Sequence, residues 1–203
     1  SGSALIVNGT VGGTLMVNAN TTLSGSGTVS GAATIRGVHS PGNSPGIQTF
    51  SSDLTYSGGA SALNWELSAN TATQGSPTAV FDQVVVSGDL DFTDLTTLNL
   101  AFNAAGGSVA WGNEFWSSNR TWTIFDVAGT TTNFNNLTLA SSSWLDSSST
   151  PLETSRPDAS FTLLRSGQDV ILNYTAVPET SSALLASLGL LATLRRRRNV
   201  AGH

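Results

Sequence analysis

The first forty residues are a string of very short apolar pulses punctuated by glycine and asparagine, a pattern few folds tolerate. Leu5-Ile6-Val7, Leu15-Met16-Val17, Thr21-Thr22-Leu23, Thr28-Val29 and Ala33-Thr34-Ile35 are separated by Asn8-Gly9, Gly12-Gly13, residues 24–27 and Gly31. Pulses this short cannot complete the turns of a helix, and they are short for free-standing hairpins. They suit a solenoid, in which each strand stacks on the equivalent strand of the next coil. No single period fits their spacing. The 21 glycines, with abundant Ser and Thr, also argue against a helical bundle.

From residue 47 the strands lengthen. Leu63, Trp65 and Leu67 alternate with Asn64 and Glu66, the period-2 pattern of a half-buried strand. Phe81-Asp82-Gln83-Val84-Val85-Val86 is a β-branched run ended by Ser87-Gly88. Leu90 and Phe92 alternate with Asp89 and Asp91, and Leu98, Leu100 and Phe102 with Asn99 and Ala101. Residues 121–125 form a further strand. Residues 161–164 and 170–174 read as a closing hairpin with residues 165–169 as its loop. Residues 109–119 are aromatic without a clear period, and the Ser/Thr/Pro-rich residues 141–157 read as a surface loop. The expected class is therefore all-β. Residues 1–46 make solenoid coils, 47–176 a longer-stranded region and 177–203 a tail; a β-sandwich over 47–176 is the alternative.

Charge separates the tail from the body. The eight basic residues are all Arg, and four of them, Arg195, Arg196, Arg197 and Arg198, are consecutive. Without the stretch after Ala176, four Arg face twelve acids, a net charge of −8. Such a body repels a phosphate backbone, so nucleic acid is not an expected partner. The Arg block follows the apolar residues 183–194, as a membrane segment ends on its cytoplasmic side. Twelve residues make a helix of about 18 Å, short of a bilayer core of ~30 Å. Short, marginal anchors of this kind are typical of tails destined for removal. The chain starts at Ser1 in mid-pattern and reads as a fragment or processed form, so the missing leader does not argue for the cytoplasm.

Two resemblances follow. Val177-Pro178-Glu179-Thr180, the apolar run and the Arg block resemble the PEP-CTERM sorting signal of Gram-negative bacteria, with Thr180 standing where that family usually has Pro. The resemblance implies transient inner-membrane insertion of 183–194, Arg195 to Arg198 as the membrane stop, and processing near Pro178-Glu179 by an exosortase-type membrane protease. His39-Ser40-Pro41-Gly42-Asn43-Ser44-Pro45-Gly46, with Trp65-Glu66-Leu67 and the strand from Asp82 to Val86, is similar to autotransporter-associated β-strand repeat proteins. That similarity implies a right-handed parallel β-helix with a C-terminal β cap, followed here by a short apolar helix, and it implies no catalytic residues. In the doubled turn, Pro41 and Pro45 fix φ, and Gly42 and Gly46 are expected to take positive φ.

Chemical motifs are sparse. With no Cys, a disulfide scaffold, a Cys-based zinc site and a Cys nucleophile are excluded. The two histidines, His39 beside the turn and His203 at the end, have no G-x-S-x-G partner for a serine hydrolase. Glu66, Asp82, Asp89, Asp91, Asp94 and Glu114 are candidate carboxylates for glycoside hydrolysis; Glu66 and Asp82, on successive strands, are the pair to watch. The simpler reading makes them outward residues of alternating strands. Asp89-x-Asp91-x-x-Asp94 lacks the Gly and Glu of a calcium loop, and edge-protecting acids are the expected explanation. Trp111, Phe115, Trp116, Trp122 and Trp144 cluster in sequence. They are expected to close the open end of a solenoid, with Trp111, Trp116 and Trp122 as candidate contacts to an extracellular polysaccharide. No metal or cofactor is expected. The expected role is non-enzymatic: an exported structural or adhesive module of the cell surface or extracellular matrix. A carbohydrate-binding module or a β-helix polysaccharide-active enzyme is the alternative.

Overall fold

The computed structural model describes residues 2–177, and its strands come in triplets. β1 (Ser3–Ile6), β2 (Thr10–Val11) and β3 (Leu15–Val17) form the first triplet; β4 (Thr21–Gly25), β5 (Thr28–Val29) and β6 (Ala33–Ile35) form the second. β7 (Val38–Pro41), β8 (Ile47–Phe50) and β9 (Leu54–Tyr56) make the third, and β10 (Ser61–Glu66), β11 (Gln83–Val86) and β12 (Leu90–Phe92) the fourth. β13 (Thr96–Ala101), β14 (Arg120–Val127) and β15 (Thr131–Thr132) make the fifth. β16 (Leu137–Leu139), β17 (Ser160–Ser166) and β18 (Asp169–Thr175) follow.

The three members of a triplet go to three different sheets. One sheet runs β1-β4-β7-β10-β13-β16, the second includes β2-β5-β8-β11-β14, and the third β3-β6-β9-β12-β15. Pairing within these runs is parallel throughout. Strands of two to six residues, as all but β14 are in these runs, are too short to stand alone, but inside each run a parallel neighbour on either side satisfies their N–H and C=O groups. A sandwich over 47–176 would need antiparallel partners in this stretch. Among the described residues, antiparallel ladders occur only where β18 pairs with β14 and β17 with β18, beside three isolated bridges.

The missing period has a physical origin. Along the third sheet the register is Leu15, Ala33, Leu54, Leu90, Thr131, so successive steps are 18, 21, 36 and 41 residues. Some strands lengthen, but the connections grow more, because residues 68–80 and 102–119 are inserted between strands that would otherwise follow closely.

Side chains of equivalent residues stack inward in columns. Leu23, His39, Leu63 and Leu98 form one, Val29, Phe50, Val86 and Val127 another, and Ile35, Tyr56 and Phe92 a third. All are buried, and the apolar members belong to a single cluster that crosses residue 46 without a break. Each large side chain removed from water contributes roughly 1.5–3 kcal/mol. The alternations expected over residues 62–67 and 89–92 are the observed burial pattern, and Val84 and Val86 of the β-branched run are buried as well.

Two stretches differ from expectation. The final hairpin has longer strands and a tighter connection, with Ser166 paired to Asp169 around Gly167 at φ 64°. Residues 141–157 are not a plain surface loop: they carry the helix α1 (Leu152–Ser155) and bury Asp146 and Leu152.

Triplets approach closely at glycine. A Cβ on Gly31 would stand 2.2 Å from the carbonyl oxygen of Gly13, whereas one on Gly112 meets nothing within 4 Å. Gly31→Ala is expected to lower unfolding free energy by about 2 kcal/mol or more through backbone displacement. Gly112→Ala should stay within about 0.5 kcal/mol of the parent. Urea denaturation followed by far-UV circular dichroism measures both.

Candidate functional site

The sequence scatters its most distinctive residues over forty positions, and the sheet register gathers them. β10 stacks on β7 and β11 on β8, so the end of β10 and the start of β11 lie against the turn joining β7 to β8. Asp82 sits at the centre, 1% exposed. Its Oδ1 accepts from the Gly46 amide at 2.7 Å and its Oδ2 from the Glu66 amide at 3.0 Å. Its carbonyl accepts from Trp65 Nε1 at 2.6 Å. The Ser44 hydroxyl donates to Glu66 Oε2 at 2.5 Å. The double turn, the strand ending in Glu66 and the strand opening after Asp82 are thus one hydrogen-bonded knot.

Glycine enters the turn for two different reasons. Gly42 has a φ of 83°, as expected, but the second positive φ belongs to Ser44, at 67°. Gly46 is not among the positive-φ residues. Crowding requires it: a Cβ there would stand 2.4 Å from Gly42 Cα and 2.6 Å from Ser26 Oγ.

Burial pushes the Asp82 carboxyl up to about 8, and the nearby Glu66 charge adds to the rise, while the amides of Gly46 and Glu66 oppose it. The two carboxylates do come together, as glycoside hydrolysis would require. However, both Asp82 oxygens are held by amides and the group is closed to solvent, so Asp82 has no face to offer a substrate.

A second polar cluster lies inside the core. His39 Nε2 is 2.7 Å from Gln48 Oε1, and Nδ1 is 2.5 Å from the Tyr56 hydroxyl. An amide oxygen only accepts, so Nε2 carries the proton and the Tyr56 hydroxyl donates to Nδ1. All three residues are fully buried. Burial lowers His39 to about 4, against a smaller upward pull from Gln48, and it raises Tyr56 well above its ordinary value. Sequence reasoning placed His39 beside the turn and missed this trio. Its signal was the register that puts His39 in a column of leucines and Gln48 next to Val84.

Four further acids hold neighbouring triplets together. Asp53 accepts from the Asp89 amide at 2.9 Å, Asp89 from the Thr130 amide at 2.7 Å, and Asp94 from the Gly58 amide at 2.7 Å. Asp91 accepts from Thr132 Oγ1 and Asn133 Nδ2. This corrects the edge-protection reading, since β12 is paired on both sides and is not an edge. Glu114 is exposed in the first turn of a 3-10 helix, Glu114–Ser117. Among the described residues no group of three or more His, Cys, Asp or Glu could hold a metal ion.

The aromatic segment is buried. Trp111 and Trp116 are 0% exposed and Trp122 1%, so none presents a ring face on which a sugar could stack, which corrects the expectation of carbohydrate contact at these three. Trp111 and Trp116 meet at 4.6 Å, Phe102 lies 4.9 Å from Trp111, and Tyr174 5.0 Å from Trp116. Trp116 Nε1 donates to Asn70 and Trp122 Nε1 to the Thr71 carbonyl, tying the 68–80 insertion to this cluster. Phe115 and Trp144 are partly buried against it.

Of the four residues expected to form a sorting motif, Val177 is described and exposed. Pro178, Glu179, Thr180, residues 183–194, Arg195 to Arg198 and His203 lie outside the described residues. No helix among the described residues is long and apolar enough to cross a membrane. Comparison with protein-family models, with curated proteins and with solved structures finds no match to this chain.

The two buried titrating groups give opposite pH dependences. The folded value of Asp82 lies above its ordinary 3.8, so its stabilising contribution is full below about pH 4 and is lost as pH rises to about 8. The folded value of His39 lies below its ordinary 6.5, so its contribution is full above that value and is lost as pH falls to about 4. The two offset each other below pH 6.5, and above it Asp82 acts alone. The unfolding free energy from urea denaturation should therefore fall between pH 6.5 and 8 by up to about 1.4 kcal/mol per pH unit in the parent and stay flatter in Asp82→Asn. Below pH 6.5 the Asp82→Asn variant should show the His39 loss uncovered.

Proposed function

We propose that this chain is a non-enzymatic structural module of the cell surface or extracellular matrix, built as a right-handed parallel β-helix with a C-terminal β cap. Three parallel sheets whose strands recur every third element support the β-helix, and right-handed crossovers are the strong preference for parallel strands. The pairing of β18 onto β14 and the aromatic cluster beneath it support the cap. The observation that carries the functional reading is the employment of the acids. Asp53, Asp82, Asp89, Asp94, Asp146 and Asp169 each accept a hydrogen bond from a backbone amide of another segment or of their own turn. Groups employed in this way are occupied in holding the scaffold, and at Asp82 moving the carboxylate would free buried amides.

In this reading the module reaches its place through the tail. Residues 183–194 enter the inner membrane transiently, Arg195 to Arg198 stop them, and an exosortase-type protease cuts near Pro178-Glu179. Support comes from the sequence pattern alone: a motif, a short apolar run and a basic block in that order, behind an acidic body.

Intact-mass spectrometry of the protein recovered from a Gram-negative host's surface and medium tests the address. The expected species ends near Pro178-Glu179, and Arg195 to Arg198 replaced by Ser should trap the chain before cleavage. Surface material carrying an intact His203, or a protein confined to the cytosol, would contradict the proposal.

A further inference from the structure

We propose that residues 43–45 form a proton-gated flap that lifts off the Glu66–Asp82 pair when Asp82 ionises, while the strands on either side stay stacked. The flap has fixed ends. Gly42 and Gly25 exchange backbone hydrogen bonds at 2.9 and 3.0 Å, and the Gly46 carbonyl accepts from the Gln83 amide at 3.1 Å. Between these anchors Asn43 and Ser44 are exposed and Pro45 is half-buried.

The middle of the flap is lightly held. Asn43 Nδ2 donates to Asn8 Oδ1 at 3.0 Å, and the Ser44 hydroxyl donates to Glu66 Oε2. Ser44 is kept at a φ of 67°, which a residue with a Cβ adopts only where its surroundings impose it. Once Glu66 withdraws, Ser44 can relax and the flap keeps one side-chain tie.

Beneath the flap lie two acids and, among the described residues, no cation facing them. Residues 40–52, 67–81 and 83–88, which surround Asp82, contain no charged residue. His39 on β7 is turned into the core, onto Gln48 and Tyr56. On β14, Asp126 stands opposite Val85, and Arg120 is bonded to the Phe115 carbonyl with its guanidinium 4.4 Å from that ring's centre. Glu66 is therefore the ionisable neighbour of Asp82. The amides of Gly46 and Glu66 offset part of a charge on Asp82, but nothing offsets two carboxylates side by side. Burial, with the Glu66 charge adding to it, holds Asp82 up to about 8. Glu66 is half-buried and can swing into water, and that movement releases Ser44.

The opening is local. Residues 43–45 belong to no strand, so lifting them breaks no ladder bond, and β7 and β8 keep a partner on both sides. Locality has its own pH signature. Global unfolding releases both Asp82 and His39, whose contributions offset each other between about pH 4 and 6.5. The flap releases Asp82 and leaves His39 buried. Its opening constant should therefore rise about tenfold per pH unit all the way from about pH 4 to about 8. This inference stands on the geometry of the turn and is independent of export or processing.

Amide hydrogen exchange of the full chain, followed by NMR and corrected for the intrinsic rate at each pH, reads the opening. The Gly46 amide, bonded to Asp82, should exchange at least about tenfold faster than the core amides of Leu54 and Leu90. It should also carry the rise from pH 4, while those two stay level below pH 6.5. Glu66→Gln keeps an oxygen for the Ser44 hydroxyl and removes the like charge, so Gly46 exchange at pH 8 should slow by about threefold or more. Asp82→Asn should remove the rise. Far-UV circular dichroism checks that this variant folds, and Glu66→Gln carries the test if it does not. Gly46 exchange at the rate and pH slope of Leu54 would overturn the proposal. So would a rise unchanged in Glu66→Gln, or one retained in folded Asp82→Asn.

Discussion

Everything in this molecule depends on backbone stacking at parallel-strand distance. A strand of two or three residues has almost no stability of its own, and it exists because the triplets on either side complete its hydrogen bonds. That closeness dictates which residues can follow. Gly27, Gly31 and Gly37 are each required by a carbonyl oxygen of the preceding triplet 2.2 Å from where a Cβ would stand. The inward columns then become continuous, and a thin core of Leu, Val, Ile and aromatic rings runs the length of the stack.

The same stacking explains how polar residues are used. Parallel triplets bring side chains far apart in sequence into register, so hydrogen-bonded ladders form across them. Asn99 donates to Asn64 and Asn64 to Ser40, on three successive strands of one sheet. Carboxylates do the same for the connections, with Asp53 holding Asp89 and Asp89 holding Thr130. The His39, Gln48 and Tyr56 trio is the buried counterpart. With both ring nitrogens partnered, a polar group can sit in a column of leucines without leaving an unsatisfied donor.

Much of this was legible beforehand, and the reasons for the remainder are physical. Period-2 alternation marked Leu63, Trp65 and Leu67 as inward because a pleated strand has no other way to bury one face. The link between the double turn, Glu66 and Asp82 was suggested by order along the chain, whereas their contact follows from register, which steps growing from 18 to 41 residues conceal. The concentration of aromatic residues over 111–122 was legible, but a tryptophan's burial depends on what the 68–80 insertion and β17 bring over it. Likewise Gly46 reads as a positive-φ turn residue, yet the constraint on it is crowding, by Gly42 in the same turn and by Ser26, twenty residues away in an adjacent triplet. Local sequence gives strands and turns; it does not say which turn lies above which.

The stacking register is tested most directly by disulfide trapping, since the chain has no cysteine of its own. Thr34 and Thr55 are paired across β6 and β9, while Thr49 belongs to another sheet. The Thr34→Cys/Thr55→Cys variant should close a disulfide under mild oxidation, because neighbouring strands bring Cα atoms within the roughly 4.4–6.8 Å such a bond needs. Thr34→Cys/Thr49→Cys should stay reduced. Closure of the second pair in place of the first would contradict the triplet register and the architecture built on it.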